Sequence, residues 1–331
     1  MKIRWVDRLA FFIINHCLSR PRFQRFDAVE QEQFIQKWSQ RTAENFYDLS
    51  SLPSGTDASL EALASGPFPQ RKSVSLPSPS PGPCQENNHI WVEFHLGRPL
   101  SQAPLFLIQH GWRSVSVRGY HGLCGKLNAL GVNAGVLHLP YHFSRKARGS
   151  FNGELAITSN LERSAFALKQ GVREACWLKN QLKRLGVPSV GLWGTSYGAW
   201  IAALAIVMDD GFDGALLLEP PVDIETLFWE IPLFSVLQRE LHRHRISRER
   251  VRPLFKLVTP GEKPLRLPPE RVLILGSLHD PIGSPDSLAR LHRAWPGSYL
   301  EIFPCGHISY RLHINAMARF LERLAPALIR S

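Results

Sequence analysis

The sequence predicts an α/β protein in which helices cover both faces of a mainly parallel sheet. From residue 104 onwards, short apolar stretches alternate with longer stretches of helical periodicity. Several of the short stretches are apolar throughout, which is typical of parallel strands buried on both faces. A serine between two glycines also stands where a strand should give way to a helix. In such sheets, ligands bind beyond the carboxyl ends of the strands.

Eight stretches are predicted as strands, and the helices lie between them. The strand predictions cover residues 73–76, 89–96, 104–110, 133–139, 189–193, 214–220, 271–277 and 298–304. The strongest helix prediction is 161–185, because apolar residues recur there at helical spacing and Gly186 ends the pattern. Other helices are predicted around 122–131, over 197–208 and over the closing segment 309–329.

The first 72 residues are predicted to form a helical extension with a Pro/Ser-rich connection, and residues 73–331 to form the main domain. Residues 1–20 begin with basic residues, and their apolar stretch is too short to span a bilayer. No small-residue cleavage site follows, so no signal peptide is predicted. An amphipathic helix is expected, which either packs on the domain or makes peripheral contact with a membrane. Residues 23–48 predict a second helical region, and residues 49–88 an irregular connection.

Composition restricts the classes of partner. The net charge of +11 favours an acidic partner or an anionic membrane surface. No zinc-finger spacing or RNP-like segment accompanies the charge, so nucleic-acid binding is not predicted. The five cysteines are scattered and form no CxxC pair, which indicates a reducing, cytoplasmic compartment without a disulfide framework or zinc site. No sequence feature indicates an oligomeric state.

The stretch VGLWGTSYGAW, residues 190–200, places Ser196 between Gly194 and Gly198. Glycine tolerates positive φ and leaves no Cβ in a crowded turn, so this spacing suits a sharp bend. A bend between a buried strand and a buried helix would expose the Ser196 hydroxyl. The stretch therefore predicts a nucleophilic serine, with a purely structural glycine turn as the alternative.

A nucleophilic serine needs a base to take its proton and an acid to orient the base. His307 follows the last predicted strand, and Asp280 follows the strand 271–277. Both side chains should therefore lie at the same edge of the sheet as Ser196. These three residues are the predicted catalytic set.

Three other acids lie near this edge of the predicted sheet. Glu219 and Asp223, at the end of the preceding strand, are rival candidates for the acid. Asp286 is predicted to be a cap or first-turn residue of the following helix.

Acyl transfer also requires donors for the oxyanion of the tetrahedral intermediate. One predicted donor is the backbone N–H of Tyr197, directly after the serine. The other is the backbone of Trp112 in QHGWRS, where Gly111 allows close approach after the third strand. A plain turn at this His-Gly pair is the alternative.

The stretches QHGW, GTSYG, LHDPIG and CGHIS, in this order, resemble the α/β-hydrolase superfamily over residues 73–328. Within it, ENNHIWVEF, HGWRSVSVRGY and LPYHFSR resemble a poorly characterised group of α/β-hydrolase-domain proteins. The resemblance implies the α/β-hydrolase fold and a serine hydrolase without a cofactor. It does not supply a substrate, because this fold hosts many reactions.

Two further segments are candidates for shaping a substrate pocket. Tyr141 and His142 follow the fourth strand and could line it. His138 and His142 have the spacing of metal ligands, but a proline between them and the lack of a carboxylate motif argue against a metal site. The insertion 222–268 resembles a cap with apolar and basic parts. Its arginines would suit an anionic head group or a carboxylate, or they form a solvated face.

The sequence as a whole predicts hydrolysis of an ester or thioester through an acyl-enzyme intermediate, with a small-molecule or lipid acyl substrate. A lipid acyl hydrolase or acyltransferase at a membrane surface would use the same machinery. A serine peptidase is disfavoured because no propeller domain accompanies the motifs. The alternative from another class is a non-catalytic binding protein with the same fold.

Overall fold

An eight-stranded sheet forms the centre of the protein, which a computed structural model describes over residues 2–14, 20, 23–64, 66–310 and 327. The strand order is β1-β2-β4-β3-β5-β6-β7-β8. β2 pairs antiparallel with β1 and β4, and every other neighbouring pair is parallel. The predicted mainly parallel sheet is therefore confirmed. The strands are β1 (Gln70–Pro77), β2 (His89–Leu96), β3 (Leu105–Gln109), β4 (Asn133–His138), β5 (Val190–Thr195), β6 (Gly214–Leu218), β7 (Val272–Ser277) and β8 (Tyr299–Phe303).

Helices cover both faces of the sheet. Leu105 and Leu107 of β3 join the apolar core that also contains the buried faces of α6 and α7. Phe106 and Ile108 point the other way, into a second core shared with α5. The helices are α1 (Lys2–Phe12), α2 (Ala28–Ser39), α3 (Ala43–Tyr47), α4 (Ala58–Glu61), α5 (Arg118–Ala129), α6 (Leu161–Arg184), α7 (Tyr197–Met208), α8 (Ile224–Glu230), α9 (Ser235–Arg243), α10 (Arg248–Val258) and α11 (Pro285–Ala294).

The N-terminal extension differs from its prediction in two places. The single helical region predicted over 23–48 is two helices, because Thr42 accepts the N–H of Asn45 and starts α3 as a separate helix. The stretch predicted to be irregular contains the short helix α4, whereas the strand predicted over 73–76 is present as the longer β1. Phe34 and Trp38 of α2 and Phe46 of α3 are buried.

The closing helix predicted over 309–329 lies outside the described residues, apart from 309, 310 and 327. Within the part of the chain that the structure describes, no helix is both long and apolar enough to cross a membrane.

A buried ion pair holds the loop after β4 against α6. Arg145 makes two hydrogen bonds to the carboxylate of Glu174, of 2.6 and 2.7 Å, and neither side chain is exposed to solvent. Arg145 also donates to the carbonyls of His138 and Asn87, at 2.9 Å each. Burying a charged pair is costly unless its hydrogen-bonding groups are satisfied. These bonds offset that cost and set the path of the loop.

Candidate active site

The turn between β5 and α7 is strained at its serine. Ser196 has φ 51° and ψ −114°, a conformation that L-residues seldom adopt. Its N–H donates to the carbonyl of Leu218 at the end of β6, with an N–O distance of 2.7 Å. The surrounding structure thus holds the serine in an unfavourable backbone conformation, which is common at functional sites.

The two flanking glycines are needed for space. A Cβ on Gly198 would overlap the main chain of Gln109 and His110, and one on Gly194 would overlap the main chain of Ala199. Neither glycine has positive φ, so the strained conformation belongs to Ser196. The bend is closed by direct packing of backbone on backbone.

Ser196, His307 and Asp280 form a continuous chain of hydrogen bonds. The Ser196 Oγ lies 2.8 Å from Nε2 of His307, and Nδ1 of His307 lies 2.7 Å from Oδ2 of Asp280. The other oxygen of Asp280 accepts the N–H of Ile282 at 2.7 Å. Asp280 and His307 are buried, so water competes little for these bonds. The structure brings together the three residues that the sequence proposed as a catalytic set.

Glu219 places a second carboxylate beside the same histidine. Its Oε2 lies 3.6 Å from Nδ1 of His307 and has no hydrogen-bond partner, while its Oε1 accepts the hydroxyl of Ser277. Asp280 is closer to the ring and is the hydrogen-bonded acid of the two. The rival acid from β6 is therefore present in the site, at a longer distance.

The other two acids near this edge lie away from the histidine. Asp223 accepts the N–H of Thr226 at the start of α8 and pairs with Arg290 at 2.6 Å. Asp286 lies in the first turn of α11, as the sequence predicts.

The buried carboxylates change the proton affinities of the site. Burial lowers the pKa of His307, but Asp280, Glu219 and Asp7 raise it, and the net result is a pKa of about 9. Burial raises the pKa of the Glu219 carboxyl, and the nearby Asp280 raises it further. The environment therefore favours a protonated, positively charged His307.

Trp112 and Tyr197, whose backbone N–H groups are the predicted oxyanion donors, line the same cavity as the serine. Tyr197 is the first residue of α7, where backbone N–H groups have no partner within the helix. Gly111 lies against the serine, since a Cβ there would be 3.7 Å from that of Ser196. Trp112 follows it and lines the cavity at Ser196, with its indole donating to the Gly153 carbonyl at 2.7 Å.

A small apolar cavity of about 50 Å³ adjoins Ser196 and His307. Its walls come from segments far apart in the sequence, including the N-terminal helical segment and the insertion between β6 and β7. These walls include Phe11, Ile14, Leu227, Leu233, Phe234 and Ile282. The insertion thus contributes apolar side chains to the cavity, whereas the N-terminal contribution was not expected from the sequence.

Two sequence predictions about this cavity are wrong. Tyr141 and His142 do not line it, and Tyr141, which has φ 65°, lines a different cavity. His142 is fully buried behind the ring of Tyr197, with Nδ1 at 2.8 Å from the Pro140 carbonyl. Both residues support the site from outside the cavity.

The arginines of the insertion do not reach the cavity either. Arg248 pairs with Glu225 and Glu230 at 2.6 and 2.8 Å, and Arg252 pairs with Glu225 at 2.9 Å. The carboxylates that neutralise these arginines thus belong to the insertion itself. The sequence left two roles open for these arginines, binding of an anionic group or a solvated basic face. The ion pairs favour the solvated basic face.

Two groups of side chains in the described part of the chain have the composition of metal ligands. One is Glu219, Asp280 and His307, which is the site itself. The other is Glu93 and His95 of β2 with His121 of α5. The guanidinium of Arg71 lies 2.9 Å from both Glu93 and His121, where a cation would otherwise bind. Neither group argues for a metal-dependent reaction.

Comparisons with known proteins identify the fold. The sequence matches no protein-family model and no curated protein. A structure of the Pyrobaculum calidifontis esterase matches 96% of this chain and 98% of its own, with 15% identity and a TM-score of 0.53. The fold is that of the α/β hydrolases. An acetyl xylan esterase from Paenibacillus sp. R4 matches 88% of this chain and 98% of its own, at 14% identity and a TM-score of 0.55. For a thermostable carboxylesterase from a metagenomic library, the match covers 92% of this chain and 97% of the esterase chain, at 14% identity and a TM-score of 0.53.

We expect Gly198→Ala to destabilise the protein through the close packing at the serine turn. The added methyl group would meet main-chain atoms that cannot move independently, so the free energy of unfolding should fall by about 3 kcal/mol. Urea denaturation provides the measurement. The control is Gly122→Ala in α5, where a Cβ has open space and alanine should favour the helix by up to about 1 kcal/mol. Equal stability of the two variants would contradict the packing argument.

Proposed function

We propose that this protein is a serine hydrolase that cleaves a carboxylic ester or thioester through an acyl-enzyme intermediate. The observation that carries the proposal is the hydrogen-bonded chain from Ser196 through His307 to Asp280, placed at the strand ends beside an apolar cavity. Structures of the same fold include proteins described as esterases. The fold by itself does not determine the reaction.

In the first half of the reaction, Ser196 attacks the carbonyl carbon while Nε2 of His307 takes the serine proton. The negative charge on the carbonyl oxygen is stabilised by the backbone N–H groups of Tyr197 and Trp112. His307 then returns the proton to the leaving alcohol or thiol, which departs with the bonding electrons. The acyl group remains on Ser196 as an ester.

In the second half, His307 takes a proton from water, and the resulting hydroxide attacks the acyl-serine. Collapse of the new tetrahedral intermediate releases the carboxylic acid, and His307 returns the proton to Ser196. Asp280 keeps the imidazole in the tautomer with the proton on Nδ1 and stabilises its charged form. The reaction therefore needs no cofactor.

The apolar walls of the cavity favour an uncharged acyl group over a charged one. Leu227, Leu233 and Phe234 of the insertion, together with Ile282, offer no group that could neutralise a carboxylate. Burying an unpaired charge there would be costly. The substrate class that fits best is an ester or thioester of an aliphatic or aromatic acid.

A second candidate is a lipid acyl hydrolase that acts at a membrane surface. Leu9, Phe12 and Ile13 are exposed on the N-terminal helical segment, with exposed fractions of 43%, 56% and 40%. Neighbouring Phe11 lines the cavity, so the exposed residues belong to a segment that forms part of its wall. The basic net charge would favour an anionic surface.

The mechanism predicts that Ser196→Ala loses fluorophosphonate labelling and at least about 10⁴-fold in the rate of ester hydrolysis. The measurement is labelling of the wild type and the variant, with hydrolysis of p-nitrophenyl esters of increasing chain length followed in parallel. Ser54→Ala is a suitable control, because Ser54 is an exposed serine of the N-terminal extension and does not line the cavity. Folded wild-type protein that resists labelling would overturn the mechanism and favour a binding protein with this fold.

The two carboxylates beside His307 should be distinguishable by their pH profiles. Removing the charge of Glu219 in Glu219→Gln should lower the pKa of His307, so labelling should begin at lower pH with a similar maximal rate. The labelling rate of Asp280→Asn should be about 10⁴-fold lower than that of the wild type at all pH values, because the imidazole is no longer held in the productive tautomer. Labelling rates between pH 5 and 10 measure both effects. A loss in Glu219→Gln as large as that in Asp280→Asn would make Glu219 the orienting acid.

The membrane candidate predicts that the double variant Leu9→Ser/Phe12→Ser binds anionic vesicles at least about tenfold more weakly than the wild type, because apolar burial is lost. Co-sedimentation with phosphatidylglycerol vesicles measures the binding. Val29→Ser is the control, since Val29 is also an exposed apolar residue but lies on α2. Equal binding by all three proteins would remove the support for a membrane surface.

A further inference from the structure

Asp7 is a buried carboxylate that contacts the chain directly after His307. Its Oδ1 accepts the backbone N–H of Ile308 at 2.6 Å and that of Ser309 at 3.2 Å. Its Oδ2 lies 3.4 Å from the Ser309 hydroxyl, and the residue is 4% exposed. These contacts connect α1 to the loop that carries the histidine, across some 300 positions of the sequence.

The loop that contains His307 forms a helical turn whose free N–H groups need an acceptor such as the Asp7 carboxylate. The Tyr310 N–H donates to the Gly306 carbonyl at 3.1 Å, so a helical turn begins at Gly306. The next N–H groups in such a turn lack partners within it, and a side chain at the cap position normally accepts them. Gly306 has no side chain, and the position that its Cβ would take is occupied by Oδ2 of Asp7. A carboxylate from another helix therefore caps the turn.

The following residues of the same segment reach the cavity. The ring of Phe11, one turn after Asp7, has its centroid 6.3 Å from that of His307. Phe11 and Ile14 both line the cavity beside Ser196. The N-terminal segment is thus a wall of the site as well as the source of the capping carboxylate.

We propose that Asp7 is a positioning residue, which holds the His307 loop so that Nε2 stays within hydrogen-bonding distance of Ser196. The proposal rests on the proposed serine hydrolase function. Apolar packing of Phe11 and Ile14 does not require a buried carboxylate, and burying one is costly unless it is well hydrogen-bonded. Among the residues that the structure describes, Asp7 accepts hydrogen bonds from the two that follow the histidine. Docking of α1 is therefore a condition for full activity.

Two effects of Asp7 on the histidine can be separated by substitution. The hydrogen bonds set the position of the ring, and a misplacement of about 1 Å can cost about 10²-fold in rate. The negative charge adds to those of Asp280 and Glu219, the other charged groups that face His307. Asp7→Ala removes both effects, whereas Asp7→Asn removes the charge and keeps an oxygen that can accept the Ile308 N–H.

The experiment measures fluorophosphonate labelling of the full chain between pH 5 and 10, with unfolding followed separately. For Asp7→Ala we expect a 10- to 100-fold lower maximal labelling rate, about the cost of a misplaced catalytic group. Asp7→Asn should recover most of the maximal rate, and in both variants labelling should begin at lower pH than in the wild type. Asp27→Ala is the matched control, because Asp27 also accepts two backbone N–H groups, at 2.8 and 2.9 Å, but at the start of α2.

The outcomes are distinguishable from failure of the proposed function. If the wild type does not react with the probe, the serine hydrolase proposal fails. If the wild type reacts and Asp7→Ala keeps its maximal rate, or Asp27→Ala loses as much, the positioning role is wrong. If Asp7→Ala does not fold, Asp7→Ser decides, because its shorter side chain has one oxygen in place of the two that contact Ile308 and Ser309: a wild-type maximal rate in the folded variant would overturn the inference.

Discussion

The bend between β5 and α7 exists because main chain packs directly on main chain at its two glycines. Gly198 lies against the residues that end β3, and Gly194 lies against the first turn of α7. Backbone hydrogen bonds connect the bend to the next two strands. The N–H of Ser196 donates to a carbonyl of β6, and the N–H of Glu219 donates to a carbonyl of β7. Backbone groups therefore tie four neighbouring strand ends together. The side chains at those ends have little freedom to move apart, which favours a preorganised site.

Much of this arrangement can be predicted from local sequence. Parallel strands end at a common edge, so a serine, an aspartate and a histidine that each follow a strand must come close together. Tyr141 and His142 also follow a strand, yet they lie outside the cavity. Tyr141 has positive φ and the ring of His142 packs against that of Tyr197, and neither feature has a signature in the local pattern. Strand position thus predicts which edge a residue occupies, but not the direction of its side chain.

The N-terminal segment shows a second limit of prediction from sequence. An amphipathic pattern indicates that one face of a helix is covered, but it does not identify what covers that face. Phe11 and Ile14 meet the catalytic cavity, while Asp7 meets a loop near the opposite end of the chain. In the sequence around His307, the glycine at 306 is a residue that this contact requires. A glycine at that position also fits a sharp turn, so its need for empty space becomes evident only when the carboxylate is seen there.

The contact between Asp7 and Ile308 also has a consequence for synthesis. The two residues are 301 positions apart, and at roughly 5–20 residues per second the ribosome needs roughly 15–60 s to make the intervening chain. During that time α1 has left the ribosome without its final partner, and the serine turn has no histidine beside it. A nascent chain of this protein should therefore be unable to react with esters before the ribosome has made His307. Meanwhile, its apolar N-terminal segment must pack against the parts of the chain that are made before His307, or bind a chaperone.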